Sequence, residues 1–162
     1  DLAELYPQAR GELQAQGKLN GPQNKPLIET SAKGSKLGYS NLEIDAIEAA
    51  FAVDLQHWRK VDIQLAAQTL KLNNYKLESL LINTDDQQLQ AQVVSKHVSA
   101  ILKLAGQSST DGWSGQVEQV EIKSELYDNW QLQDPTKISF SETALQLDTL
   151  PCCPFCSPLC WA

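Results

Sequence analysis

Apolar and polar residues alternate with a period of two through most of this sequence. Successive side chains of a β-strand point to opposite faces, so the alternation predicts strands with one apolar face and one polar face. Leu13, Ala15 and Leu19, for example, alternate with polar residues before Asn20 and Gly21 begin a turn. Turn signals recur about every 8–12 residues, which predicts roughly ten strands in an antiparallel meander. The chain is therefore predicted to be mainly β.

The apolar positions of these strands predict one continuous apolar face. They are mostly Leu, Ile, Val and Ala, and few aromatic residues fall among them. An aliphatic face of this kind packs without directional bonds. The residues assigned to the face are Leu13, Ala15, Leu19, Ile44, Ala46, Ile63, Leu65, Ala67, Leu89, Ala91, Val93, Val98, Ala100, Leu102, Val120, Ile122, Ile138, Phe140, Leu145 and Leu147.

The alternation slips in phase within residues 42–55. This segment fits a helix as well as a strand, because apolar residues also recur on one helical stripe. As a strand, its apolar positions switch from Ile44 and Ala46 to Ile47 and Ala49. A β-bulge inserts one extra residue and produces such a switch, so we favour a strand with a bulge.

Two further local features follow from the same reasoning. The apolar phase slips again between Val117 and Val120, which predicts a second β-bulge. Residues 1–6 are predicted to form a short helix, because Asp1 can cap it and Pro7 disfavours helix at the residue before.

Charge and motif content exclude several functional classes. A net charge of -7 and scattered Lys and Arg residues argue against binding a phosphate backbone, so no nucleic-acid partner is expected. The sequence contains no G-x-S-x-G, no glycine-rich phosphate loop, no H-E-x-x-H and no EF-hand loop. His57 and His97 suit ordinary turn or surface positions. We therefore expect no enzymatic activity, no catalytic residue, no cofactor and no metal.

All four cysteines fall in a Pro-rich tail at residues 151–162 and are disulfide candidates: Cys152, Cys153, Cys156 and Cys160. Clustered cysteines in even number are typical of an oxidising compartment, so disulfides are favoured, with the pairing open. A structural zinc site is the competing interpretation, but it usually recruits two well-separated ligand pairs. Free thiols are the third. Residues 1–150 are predicted to form the β-rich segment that precedes this tail.

The chain begins at Asp1 and contains no Met, which favours a segment of a longer protein. No apolar run approaches the ~18 residues of a membrane-spanning helix, so any membrane anchor is expected outside this segment. The residues alone also leave open a closed β-sandwich, in which apolar faces pack together and bind no ligand.

Three stretches resemble the TamB family. Residues 1–29, DLAELYPQARGELQAQGKLNGPQNKPLIE, are similar to its repeated theme of D-L-A-x-L-x-P followed by G-x-L-x-A-x-G-x-L-x-G-P. Residues 38–44, GYSNLEI, resemble a second family motif. Residues 128–132, DNWQL, resemble its G-x-W-x-L step. The resemblance is good over about the first 55 residues and follows the family's general texture over the next 90, whereas the Pro/Cys tail departs from it.

The resemblance implies an AsmA-like bridge protein in the periplasm, anchored in the inner membrane by another part of the chain. It implies an elongated, curved antiparallel sheet, a β-taco, whose concave apolar groove carries phospholipid acyl chains toward the outer membrane. The apolar-face residues would then be the lipid-binding groove. It also implies cooperation with a TamA-like outer-membrane barrel. The alternative is a chaperone-like module that holds β-barrel clients during assembly or secretion.

Overall fold

The computed structural model describes residues 8–22, 26–54, 61–85, 87–109, 112–141 and 144–148. These residues form eleven strands of one antiparallel sheet. The predicted helix at residues 1–6 and the cysteine tail lie outside the described residues. The strands are Ala9–Asn20 (β1), Leu27–Tyr39 (β2), Leu42–Asp54 (β3), Val61–Leu72 (β4), Tyr75–Thr84 (β5), Gln88–Ser95 (β6), Val98–Ser109 (β7), Gly112–Ser124 (β8), Trp130–Gln131 (β9), Thr136–Phe140 (β10) and Leu145–Leu147 (β11).

The strands form a meander, because β1 to β8 each pair with the next strand along the chain. β10 then pairs with β8 and with β11, and the two-residue β9 pairs with β8 beside it. The sheet is long, curved and open. The antiparallel meander predicted from the turn spacing is confirmed. Within the described residues, β1 and β11 are the two edges.

The register places apolar residues of successive strands opposite one another, in rows that cross the sheet. One row consists of Ala15, Ala32, Ala49, Leu65, Ile82, Ala91, Leu102 and Val120. The row beside it points to the other face and consists of Gln16, Ser31, Ala50, Gln64, Asn83, Gln90, Lys103 and Gln119. The alternation in the sequence thus becomes one apolar face and one polar face.

A line of irregular residues crosses β2 to β5, and we call it the crease: Lys36, Asp45, Thr69 and Glu78. The ladder pairs between these residues are missing, although regular pairs flank them on both sides. Lys36 and Thr69 each have a φ of 50°, which is unusual for a residue with a side chain. Register shifts mark both ends of the crease, at Arg10/Glu12 in β1 and Leu77/Ser79 in β5.

The alternation between the two faces reverses at the crease. Two apolar residues that are three positions apart, one on each side of the crease, therefore point to the same face. Leu37 shows this directly, because a Cβ built on Gly34 would lie 2.7 Å from the Leu37 Cδ1. Ile44 and Ile47 of β3 have the same relation across the crease. The strand predicted for residues 42–55 is confirmed over Leu42–Asp54, with its phase switch. The bulge predicted within this strand is wrong. β3 has no register shift against β2 or β4, because both neighbouring strands are irregular at the same row.

The second phase slip has the predicted cause. The register between β7 and β8 shifts where Lys103 pairs with Gln119 but the adjacent Leu104 pairs with Val117. Glu118 is therefore the extra residue of a β-bulge, and Val117 and Val120 stay on one face.

Replacing Thr69 with glycine is expected to raise the free energy of unfolding by about 0.5–1 kcal/mol. Thr69 is β-branched and held at a φ of 50°, which costs more than the usual weakening of a strand by glycine. Thr30→Gly, in a regular part of β2, is the control and should instead destabilise by about 1 kcal/mol. Urea unfolding of both variants checks this. A stability loss at Thr69 equal to that at Thr30 would contradict the crease.

Candidate functional site

The candidate site is the apolar face of the sheet, which carries no charged side chain in its main rows. Three main rows accompany the row through Leu65. The first consists of Leu19, Ile28, Val53 and Val61. The second consists of Gly17, Thr30, Phe51, Ile63, Thr84, Leu89, Leu104, Val117 and Thr136, and the third of Leu13, Gly34, Ile47, Ala67, Leu80, Val93, Ala100, Ile122 and Trp130. Leu37, Ile44, Leu70 and Leu77 continue the face beyond the crease.

The register brings together every residue assigned to the face from the sequence except Ala46. Ile138 pairs with Gly115 and Leu147, and Phe140 pairs with Trp113 and Leu145, so the last strands extend the same face. Ala46 pairs with Ser35 and Gln68 and lies on the polar face, because the alternation reverses between Ile44 and Ala46. The four disulfide candidates Cys152, Cys153, Cys156 and Cys160 lie outside the described residues.

The sequence reasoning missed several members of the face. Ile28 and Ala32 in β2 were missed because Gly34 and Thr30 interrupt the apolar pattern around them. Ile82 was missed because Leu80, Leu81 and Ile82 are consecutive and show no alternation. The spacing of three residues between Leu77 and Leu80 was the available signal, since it repeats the spacing between Ile44 and Ile47.

The apolar face is largely uncovered. Among the described apolar residues only Ala67, Val117 and Leu132 are buried. Leu19, at the β1 edge, is 71% exposed. The face is therefore available to a ligand.

No second layer covers this face within the described residues. Extensive contacts join only strands that are hydrogen-bonded neighbours in the sheet. A sandwich would require contacts between strands that face each other across a core. The closed β-sandwich alternative is therefore wrong for the described part of the chain, which forms a single open sheet.

Aromatic residues cover the apolar face near the β7–β8 end. Gly106 pairs with Gly115, and a Cβ added to Gly106 would lie 2.4 Å from the Trp113 Cζ2. The paired glycines leave the space that the Trp113 ring occupies. Trp113 also stacks on Phe140, with ring centroids 6.0 Å apart. The two glycines have no side chains, so the Trp113 ring supplies the apolar surface over this part of β7 and β8.

The opposite face is polar and makes short-range ionic contacts. Lys33 Nζ lies 2.9 Å from Glu48 Oε1 across β2 and β3. A hydrogen bond from Lys123 lowers the pKa of Glu121 below its ordinary value, and the two atoms Nζ and Oε1 are 2.7 Å apart. The Lys33–Glu48 pair is exposed and suits a solvated surface, whereas the Glu121 side chain is half-buried.

Other described polar groups also pair with each other at the surface. His97 Nδ1 lies 2.9 Å from Glu125 Oε2 between two turns, and both side chains are exposed. Over the described ranges, no group of His, Cys, Asp and Glu has the arrangement of a metal site. The same ranges contain no helix long and apolar enough to span a membrane. His57 lies outside them.

These features define a class of protein: an open antiparallel sheet that presents one uncharged apolar face and one polar face. The family model described as TamB, N-terminal domain, matches residues 1–154. The chain belongs to the TamB family, so the resemblance found in the sequence is confirmed. It is thus a segment of a TamB-related envelope protein, with the periplasmic setting of that family. Comparison with curated proteins and with solved structures gave no match.

Proposed function

We propose that this segment carries phospholipid between the inner and outer membranes, with the acyl chains lying on its apolar face. The observation that supports this most directly is the set of uncharged apolar rows that cross the sheet and remain open to solvent. The sheet advances about 4.8 Å per strand, so β1 to β8 span roughly 34 Å. The segment is thus too short to bridge two membranes alone and would serve as one section of a longer path.

The chemistry of the face suits a ligand that must move. Each buried CH₂ of an acyl chain gains about 0.8 kcal/mol on leaving water. An aliphatic face offers this gain without directional bonds, because Leu, Ile, Val and Ala donate and accept nothing through their side chains. A chain can therefore slide from strand to strand across the sheet without breaking any hydrogen bond. No catalytic step and no cofactor is needed for such a role.

In this proposal the full-length protein is anchored in the inner membrane by a part of the chain outside this segment. A TamA-like outer-membrane barrel would be the partner at the far end, through another part of the full-length chain. Phospholipid acyl chains would be the direct ligand, and nucleic acid would not bind because the chain has a net charge of -7.

Photo-crosslinkers at neighbouring positions on opposite faces test the proposal. Leu65, Ala91 and Leu102 lie in one apolar row, and each has a polar-face neighbour along its strand. Probes at these three positions are expected to capture lipid in cells, whereas probes at Gln64, Gln90 and Lys103 are not. The matched positions share strand and depth in the sheet, so only the face differs. Equal capture from both faces, or none from the apolar face of folded protein, would refute lipid carriage.

A chaperone-like module is the second candidate, and the β1 edge favours it. β1 is 12 residues long and pairs only with β2 within the described residues. Leu13 is 48% exposed at this edge. An unpaired edge with exposed apolar side chains can add a strand from another chain. Crosslinks from Leu19 and Leu147 that land on outer-membrane proteins and never on lipid would favour this function over lipid carriage.

A further inference from the structure

The apolar face ends at one side in a row of two tyrosines and two leucines, which we call the tyrosine rim. Tyr39 pairs with Leu42, Leu42 with Leu72, and Leu72 with Tyr75. Tyr39 is 52% exposed and Tyr75 78% exposed. Tyrosine favours boundaries where its ring contacts apolar groups and its hydroxyl contacts water. The tyrosine rim therefore has the chemistry of a boundary between acyl chains and water.

The turns beyond the tyrosine rim are polar and connected to each other. The β2–β3 turn contains Asn41, and the β4–β5 turn contains Asn73. The Asn73 backbone N–H donates to the Asn41 carbonyl at 3.3 Å, and the two side-chain amides also hydrogen-bond. These contacts hold neighbouring turns at a fixed separation. The rim is thus an ordered edge of the apolar face that spans the four strands β2 to β5.

Basic side chains lie directly behind the tyrosine rim. Lys71 and Lys76 are the strand neighbours of Leu72 and Tyr75, and they pair with each other across β4 and β5. Both are exposed, as is Lys96 in the β6–β7 turn. Because lysine has a long apolar stem, its ammonium group can extend past a turn to the edge of an apolar surface. All three ammonium groups can therefore reach a ligand at the rim.

One acidic residue, Glu43, shares a row with Lys71 and Lys76 and is already neutralised. Its carboxylate accepts from Arg10 and lies 3.6 Å from Lys71 Nζ. Arg10 reaches Glu43 by crossing Gly38, where any side chain would collide with the guanidinium. Among the described residues, Lys76 and Lys96 have no acidic partner. The row keeps an excess of positive charge beside the rim.

We infer that the tyrosine rim and Lys71, Lys76 and Lys96 bind the phosphate of a ligand whose acyl chains lie on the apolar face. The inference rests on the proposed function and adds an orientation to it. Ammonium groups bind phosphate oxygens as point charges, and the tyrosine hydroxyls donate hydrogen bonds beside them. Phospholipid headgroups therefore leave the face at the β2–β3, β4–β5 and β6–β7 turns, and the acyl chains run toward the opposite end of the strands.

The charges at the opposite end of the strands can be compared with those at the tyrosine rim. A polar row near that end contains Lys18, but Glu29 and Asp62 lie in the same row. The sequence also places Arg59 and Lys60 between β3 and β4, outside the described residues. These two residues are the other basic pair that could receive a headgroup. A test of the rim therefore has to include them.

Binding to the purified chain can be measured with two lipids that share acyl chains, phosphatidylglycerol and diacylglycerol, and with inorganic phosphate alone. The rim variant combines Lys71→Gln, Lys76→Gln and Lys96→Gln. It is expected to bind phosphatidylglycerol about fivefold more weakly and diacylglycerol as well as the parent chain. The matched control combines Lys18→Gln, Lys33→Gln and Lys103→Gln, which removes the same charge from the polar face. It should bind both lipids unchanged.

The possible failures are distinguishable. If neither lipid binds the parent chain, the proposed function fails and the rim assignment fails with it. If both lipids bind and the rim variant loses no phosphatidylglycerol, lipid carriage stands and the rim is overturned. A larger loss in an Arg59→Gln, Lys60→Gln variant would place the headgroup at the opposite end and also overturn the rim. A rim variant that loses binding of inorganic phosphate but not of phosphatidylglycerol would show that the lysines bind free phosphate and not a lipid headgroup. That result would also overturn the rim.

Discussion

Substituting lysine for Ala67 is expected to lower the free energy of unfolding by about 3 kcal/mol or more. Ala67 is 2% exposed, the least exposed apolar residue described, and it lies between Ile47 and Leu80 on the apolar face. The crease brings Leu70 onto the same face three residues away, so apolar side chains flank Ala67 along its strand as well as across the sheet. A lysine there must either bury its ammonium group or displace these neighbours.

Ala66→Lys is the matched control, because Ala66 is the same residue type one position earlier in β4. Ala66 points to the polar face and lies between Glu48 and Leu81. Its lysine can extend into water beside the Glu48 carboxylate, so we expect a change within about 0.5 kcal/mol. Urea unfolding followed by circular dichroism gives both values. Equal destabilisation by the two variants would contradict the assignment of faces in β4.

Most of the strands could be predicted from the sequence, because period-two alternation determines both the strand and its face. β4 and β6 illustrate this, since Ile63, Leu65 and Ala67, and then Leu89 and Ala91, alternate cleanly with polar residues. β2 could not be predicted equally well. Its apolar face includes Thr30 and Gly34, which carry no strong apolar signal. The register places them there, opposite Phe51 and Ile47 of β3.

The ambiguity of residues 42–55 has a structural cause in the crease. Apolar residues three apart are typical of a helix, and Ile44 and Ile47 have that spacing. In the sheet the same spacing arises because the alternation reverses at Asp45. The reversal is shared by β2, β4 and β5, so the strands remain in register and no helix is needed. A single sequence shows the slip in each strand but not that the slips align.

The tyrosine rim could not be predicted from the sequence, because it depends on register. Arg10, Glu43 and Lys71 come from three strands and are far apart in the chain. Only the hairpin pairing brings their charges into one row. Lys71 and Lys76 are close in sequence, but their position behind an apolar edge follows from Leu72 and Tyr75 sharing a row with Tyr39. Judged only by their spacing along the sequence, the basic residues form no cluster.

Introducing two carboxylates on the apolar face, by Ala91→Glu with Leu102→Glu, is expected to weaken acyl-chain binding at least tenfold, or about 1.4 kcal/mol. Ala91 and Leu102 pair directly across β6 and β7 in the central apolar row. An acyl chain over this row would have to cover two ionised groups. Its CH₂ groups would then lose the free energy gained by leaving water for an apolar surface, and removing water from the two carboxylates would cost further free energy. Binding of phosphatidylglycerol to the purified chain measures the loss, with circular dichroism to confirm that the sheet persists.

The matched control is Gln92→Glu with Ile101→Glu. These two residues also pair across β6 and β7, one position along each strand, and they point to the polar face. Each pair adds the same two negative charges, so general repulsion of an anionic lipid is equal in the two variants. Binding to diacylglycerol, which has no phosphate, should fall for the apolar-face pair alone. A control pair that weakened diacylglycerol binding equally would mean that the lipid does not distinguish the two faces, and the apolar face would then not be the binding surface.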